Sequence, residues 1–98
     1  MVEYSVEKRG QEDYYRFTFT SKNFKADKIV VSKTSLHYFM FCFEKGYTFQ
    51  QGSKTIEFDK QSSYTIMKIN IANRDPMIYR LYDSEYKDFE KCVDDNNL

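Results

Sequence analysis

Ninety-eight residues suffice for one domain with a hydrophobic core, and 41 % hydrophobic with 31 % charged residues describes a folded globular chain, not a disordered one. Fifteen Lys and Arg balance fifteen Asp and Glu, so the formal charge is zero, which argues against a purely electrostatic grip on duplex nucleic acid. The aromatic load is nine Tyr and nine Phe with no Trp, a set suited to strands and sheet faces.

Taken in order, Glu3 to Arg9 alternates, with Tyr4, Val6 and the Lys8 stem on one side. Gly10-Gln11-Glu12-Asp13 is a polar turn, and Tyr15 to Ser21 alternates again with Tyr15, Phe17 and Phe19 on one face. The two segments form a hairpin. A Lys-rich connection from Ser21 to Asp27 leads to a third strand over Lys28–Ser32. Thr34-Ser35 in front and Gly46 behind Lys45 bracket a helix over Leu36–Lys45, with Leu36, Phe39, Met40 and Phe43 at helical spacing. The segment is also rich in Phe and Tyr, so a buried strand is the alternative there.

The second half settles that choice. Strands are expected over Lys54–Asp59, Tyr64–Ile71 and Met77–Tyr82, with Pro76 marking the last loop. Asp83-Ser84 then opens an amphipathic helix in which Tyr86, Phe89, Cys92 and Val93 share a face, and acidic residues crowd its first turn. Displaced by fifty residues, the chain matches itself without a gap. Glu7 meets Glu57, Gln11 meets Gln61, Tyr14 meets Tyr64, Phe39 meets Phe89 and Cys42 meets Cys92, with similar apolar pairs between them. The expected architecture is therefore α+β: two tandem βββα repeats, 3–46 and 53–95, joined by a linker at 47–52 and packed with pseudo-twofold symmetry in a single domain. Neither unit is large enough to bury its own hydrophobic face alone.

Little in the chain suggests catalysis. The single histidine, His37, falls on a helix without a nucleophile at a working spacing, and it reads as structural. One His and two separated Cys give no zinc cluster, and three glycines build no phosphate-cradling loop. No cofactor is expected. Cys42 and Cys92 read as buried free thiols, with a disulfide between related helices as the alternative. The charged amino terminus has no apolar signal region, and no apolar run approaches the roughly 20 residues of a membrane span. A cytosolic location, of a cell or of an infected host, is the expectation.

What remains is a binding surface. With Tyr15, Phe17 and Phe19 inward, the opposite face of the first sheet presents Arg9, Arg16, Thr18, Thr20, Lys28 and Ser32, and its counterpart carries Lys68, Asn70, Arg80 and Tyr82. The connection adds Lys22, Asn23, Phe24 and Lys25. Residues 1–49 hold eight basic and six acidic side chains, and residues 50–98 hold seven and nine, so the first half is the more basic. Cations that track phosphate, with rings that stack on bases, bind single-stranded nucleic acid. That reading assigns Arg16, Lys22, Lys25, Lys28, Lys68 and Arg80 to phosphate, with Phe24 and Tyr82 as stacking groups. The competing reading is a protein-interaction module, such as a virus- or phage-encoded inhibitor of a host complex, acting as a monomer or homodimer.

The run Lys28-Ile29-Val30-Val31-Ser32-Lys33-Thr34-Ser35-Leu36 through Phe39 to Phe43 resembles the end of a Pur-type repeat, and Met77 through Val93 repeats the theme. In that family a strand runs almost directly into a helix, and two repeats intertwine into one domain that binds single-stranded DNA or RNA; the resemblance implies the same here. A Pur repeat has four strands before its helix, whereas three are read here. Tyr15-Arg16-Phe17 is also similar to the second strand of the YegP-like tandem repeats, whose usual Asn-Gly turn is missing. A rival plan is the pleckstrin-homology-like seven-stranded barrel with a C-terminal helix. It requires 36–43 to be a strand and implies phosphoinositide or peptide binding.

Overall fold

The structure is a computed structural model describing residues 1–98. The protein is α+β, with strands β1 (Val2–Arg9), β2 (Glu12–Ser21) and β3 (Phe24–Ser32), a short 3-10 turn at Lys33–Ser35, and helix α1 (Leu36–Lys45). Strands β4 (Phe49–Gln51), β5 (Lys54–Lys60), β6 (Tyr64–Ile71) and β7 (Met77–Tyr82) follow, and helix α2 (Asp83–Asp95) ends the order. Both sheets are antiparallel meanders, one ordered β1-β2-β3 and the other β4-β5-β6-β7. The order of three strands and a helix recurs at the fifty-residue offset, and β4 is additional, formed inside the segment read as a linker.

Residues 36–45 are helical, which removes the seven-stranded barrel: the fourth strand it requires is α1, and the seven strands present belong to two separate sheets. Local chemistry explains the helix ends. Gly46 takes a φ of 74°, and the Tyr47 amide donates to the Cys42 carbonyl at 2.9 Å, closing a Schellman cap. Asn97, with a φ of 54°, does the same for α2, where the Leu98 amide donates to the Val93 carbonyl at 2.9 Å. The first hairpin turns on Gly10-Gln11 alone, narrower than the four residues read as its turn, with Gly10 in the left-handed region that such a turn requires.

The chain forms two compact units. The first comprises Met1–Leu36 together with Ser84–Leu98, and the second is the continuous stretch His37–Asp83. In the first, α2 lies on the inner face of β1-β2-β3. Phe89 meets Phe17 edge-on at 4.7 Å between ring centroids and stacks with Phe19 at 6.5 Å, while Tyr15, Ile29, Val31, Tyr86 and Val93 are buried beside them. In the second, α1 lies on β4–β7, with Phe39 against Phe49 at 5.4 Å and against Phe58 at 5.6 Å, and Phe43 against Phe58 at 5.3 Å. Each sheet is thus covered by the helix that follows the other sheet in sequence. Three residues join β3 to α1 and none separates β7 from α2, which leaves little chain to fold either helix back over the strands before it.

Phe89 is fully buried and is the main apolar anchor of α2. Phe89→Ala is expected to lower stability by about 3–5 kcal/mol in urea unfolding. Lys87→Ala, on the exposed face of the same helix, should stay within about 0.5 kcal/mol of the parent.

Candidate functional site

The residues nominated for phosphate contact divide among several environments. On the outer face of β1-β2-β3, Ser5 stands opposite Arg16, and Thr18 stands opposite Glu3 on one side and Asp27 on the other. Arg16 bridges two carboxylates: its Nε donates to Glu7 Oε1, and its Nη1 donates to Asp27 Oδ2 at 3.0 Å. The Thr18 hydroxyl donates to Asp27 Oδ1 at 2.6 Å, and Arg9 donates to Glu7 Oε2 at 3.2 Å while lying over the Tyr14 ring. The hydrogen bond from Arg16 holds the Glu7 carboxyl below its ordinary value, and the Thr18 hydroxyl, then Arg16, does so for Asp27. This face is a charge-compensated network. A phosphate reaching Arg16 would have to displace carboxylates already in place.

Lys28 lies elsewhere. Phe17 pairs with Ile29 but Thr18 pairs with Asp27, so Lys28 is the extra residue of a β-bulge. The bulge breaks the alternation from which an outward Lys28 was expected. It lets Ala26 and Ile29 share the inner side and turns Lys28 inward with them. Its side chain is 8 % exposed, and its ammonium donates to both Glu85 oxygens of α2 at 3.1 and 3.2 Å, 5.8 Å from the centre of the Phe19 ring. Ser32, also expected outward, is buried, with its hydroxyl 3.4 Å from that of Thr34. The bulge thus makes Lys28 a structural cation that ties β3 to the helix over it.

The Lys-rich connection is shorter than the sequence reading gave. Only Lys22-Asn23 forms the turn, and Phe24 and Lys25 already belong to β3. Lys22 and Lys25 are exposed, and Phe24 is 58 % exposed with the Lys28 ammonium 6.0 Å from its ring centre. On the outer face of β4–β7 the register brings Lys68, Arg80 and Tyr82 together. Lys68 stands between Glu57 and Ile78, Arg80 is opposite Ile66, and Tyr82 is opposite Tyr64. The Arg80 guanidinium sits 4.5 Å from the centre of the Tyr64 ring, which meets Tyr82 edge-on at 5.9 Å. So Lys68, Arg80 and Tyr82 form one cluster, Lys22, Phe24 and Lys25 another, and Arg16 and Lys28 are committed to carboxylates.

A further exposed aromatic feature lies at α1, outside the residues expected from the sequence to bind. Helix α1 turns Leu36, Phe39, Cys42 and Phe43 inward, yet its outer side carries Tyr38 and Phe41, 49 % and 48 % exposed. Tyr47, just past the cap and 57 % exposed, meets Phe41 at 5.8 Å. The corresponding side of α2 is charged, with Lys87, Asp88, Lys91, Asp94 and Asp95 all exposed. The signal lay in the sequence of α1 itself: Leu-His-Tyr-Phe-Met-Phe-Cys-Phe is aromatic on both sides of a helix, whereas one sheet can cover only one.

Both thiols are unpaired, Cys42 buried and Cys92 half-buried, so the disulfide alternative does not apply. Burial, and then the neighbouring Asp95, push the Cys92 thiol up, which keeps it protonated at neutral pH. No group of three His, Cys, Asp or Glu side chains is placed to hold a metal ion, and no helix is long and apolar enough to cross a membrane. The class defined is a small α+β protein with two sheet-and-helix units and exposed aromatic surface on the second. No family model matches the chain, and no curated protein or solved structure does so.

Two outcomes follow from the charge arrangement. Arg16→Gln should return the Glu7 carboxyl toward its ordinary 4.5, read by NMR titration of the side-chain carboxyl signal. The network stabilises the fold above the unfolded carboxyl values and loses that contribution as pH falls through the depressed ones, so the variant should show a shallower loss of stability in acid. Glu85→Ala removes the carboxylate that the buried Lys28 ammonium contacts and should cost about 1–3 kcal/mol in chemical unfolding, with most of the loss recovered by adding Lys28→Met.

Proposed function

We propose that this protein is a non-enzymatic binding module that docks another protein through the aromatic outer face of α1. The observation that carries this reading is the half-exposed Phe41 on the outer side of α1 together with Tyr38 at its flank, which also touches Phe49, and Tyr47 just past its cap, while the inner side of the helix is already packed against β4–β7. Aromatic side chains left exposed beside the polar His37, Glu44 and Lys45 of the same helix form an apolar patch of the kind that marks contact surfaces. Tyr and Phe supply large contact area at small entropy cost, and aromatic anchors in the centre of a patch dominate binding energy. Nucleic acid has less support, because Arg16 and Lys28 are engaged by carboxylates and the other nominated cations fall in two clusters.

The test places a photo-crosslinking residue at Phe41, with Lys87 as the control position, in cells that express the protein. A single protein adduct at position 41 that persists after nuclease treatment is then purified and titrated against the parent and a Phe41→Ser, Tyr47→Ser variant. The double variant should bind at least about tenfold more weakly while keeping its fold. Unchanged affinity of that variant overturns the reading. So does tight, salt-dependent binding of a single-stranded oligonucleotide with no protein adduct at position 41.

A further inference from the structure

Four strands form the edges of the two sheets, and three of them carry a device that discourages further pairing. β1 holds Glu3, Glu7, Lys8 and Arg9, β3 is bulged and turns Lys28 inward, and β4 is only three residues long. Charges, bulges, inward lysines and short length are the means by which sheets blunt their edges. β7 has no bulge and no inward lysine and is twice the length of β4. It is six residues, Met-Ile-Tyr-Arg-Leu-Tyr, it pairs with β6 in unbroken register over Ile69↔Met77 to Tyr64↔Tyr82, and it carries a single charge. The Asp83 amide donates to the Ser63 carbonyl at 3.0 Å, and that phase directs the backbone groups of Ile78 away from β6.

From this we infer that β7 is a strand-addition site for an extended acidic segment of a partner protein, a second surface of the same unit and independent of the α1 face. The outer side of β7 presents Ile78, 66 % exposed, then Arg80, then Tyr82. On the outer face of this edge the charged residues are Arg80 itself and Lys68 on the neighbouring β6, both cationic, while Asp75 and Asp83 lie beyond the two ends of the strand. The acidic side chains of the same face, Glu57 and Asp59, stand on β5, a further strand away. Lys68 has Glu57 directly across from it, and Arg80 lies over the Tyr64 ring and hydrogen-bonds the Tyr82 side chain on the same outer face. An incoming strand therefore meets an aliphatic, a cationic and an aromatic side chain at alternate positions. The complementary segment reads apolar, acidic, apolar on one face, a pattern that works in either strand direction, with main-chain hydrogen bonds supplying affinity and the pockets supplying selectivity.

The test uses capped synthetic peptides of sequence Thr-Val-Thr-Glu-Thr-Val-Thr, the same peptide with Lys at the centre, and the Glu peptide N-methylated on alternate residues. Binding is followed at low salt by NMR shifts assigned to β6 and β7. The Glu peptide should bind the parent at least about tenfold more tightly than the Lys peptide, and the N-methylated peptide should fail to bind. Arg80→Glu should invert the preference, and Ile78→Asp, which leaves Arg80 and Tyr64 untouched, should repel the Glu peptide. Equal binding of the two peptides, no shifts in β7, or retained Glu-peptide binding in both variants overturns the proposal. A dimer of the protein alone, detected by sedimentation and abolished by Ile78→Asp, also overturns it by giving the edge to a second copy. Tyr38, Phe41 and Tyr47 take no part in this experiment, so its failure leaves the α1 reading standing.

Discussion

The contact on which the first unit depends is the burial of Phe89 against Phe17 and Phe19. A three-stranded sheet has one face to hide, and its strands supply Tyr15, Phe17, Phe19, Ile29 and Val31 for that face with nothing of their own to cover it. α2 provides the cover, and its remaining features follow from the job. Tyr86 and Val93 extend the apolar stripe one turn either way from Phe89, Glu85 reaches Lys28 at the stripe's edge, and the opposite side is fully charged. The β-bulge belongs to the same arrangement. It allows Lys28 to reach Glu85 from the inner side of a strand whose outer side is occupied by the Asp27–Arg16–Glu7 network.

The second unit solves the same problem with a different surplus. α1 buries Phe39 and Phe43 on its sheet, and still has aromatic side chains to spare. The two helices thus present different surfaces to their surroundings, one charged throughout, the other with aromatic Tyr38 and Phe41 exposed beside His37, Glu44 and Lys45. The sheets differ likewise. The first has its charges matched on its own outer face, and the second leaves its positive charge nearest the edge strand. Most of the exposed large apolar side chains, Tyr38, Phe41, Tyr47, Met77, Ile78 and Tyr82, thus fall in residues 37–83, although the first half of the sequence is the more basic.

Strand and helix positions were largely legible because they rest on local signals. β6, β7 and α1 lie where alternation, helical spacing and the Gly46 stop place them. β4 was not legible, since three residues carry too little pattern to separate a strand from a connection. The bulge at Lys28 has a trace in the sequence: Ala26 is an even position, Ile29 and Val31 are odd, and a regular strand cannot turn all three to one side. That irregularity misplaced Lys28; Ser32 keeps its outward register opposite Tyr14 and is buried at the end of the strand, where its hydroxyl lies beside that of Thr34. The exchange of helices between sheets left no local trace, because periodicity fixes which side of a helix is buried and is silent about which sheet it meets. Arg16 faces outward as expected, but its carboxylate partners come from two neighbouring strands and depend on register.

The exchange also orders events in time. Residues 37–83 are continuous, so the second unit has its helix and all its strands as soon as Asp83 is available. The first unit is split around it, and β1–β3 keep an apolar face open until Ser84–Leu98 arrive. During synthesis from the amino terminus, the half made first is therefore completed last. Its closing contact, between Phe17 and Phe89, spans most of the chain, the kind of distant pairing that slows folding. Until then the exposed inner face of the first sheet is the part of the nascent protein most open to misassembly with other chains.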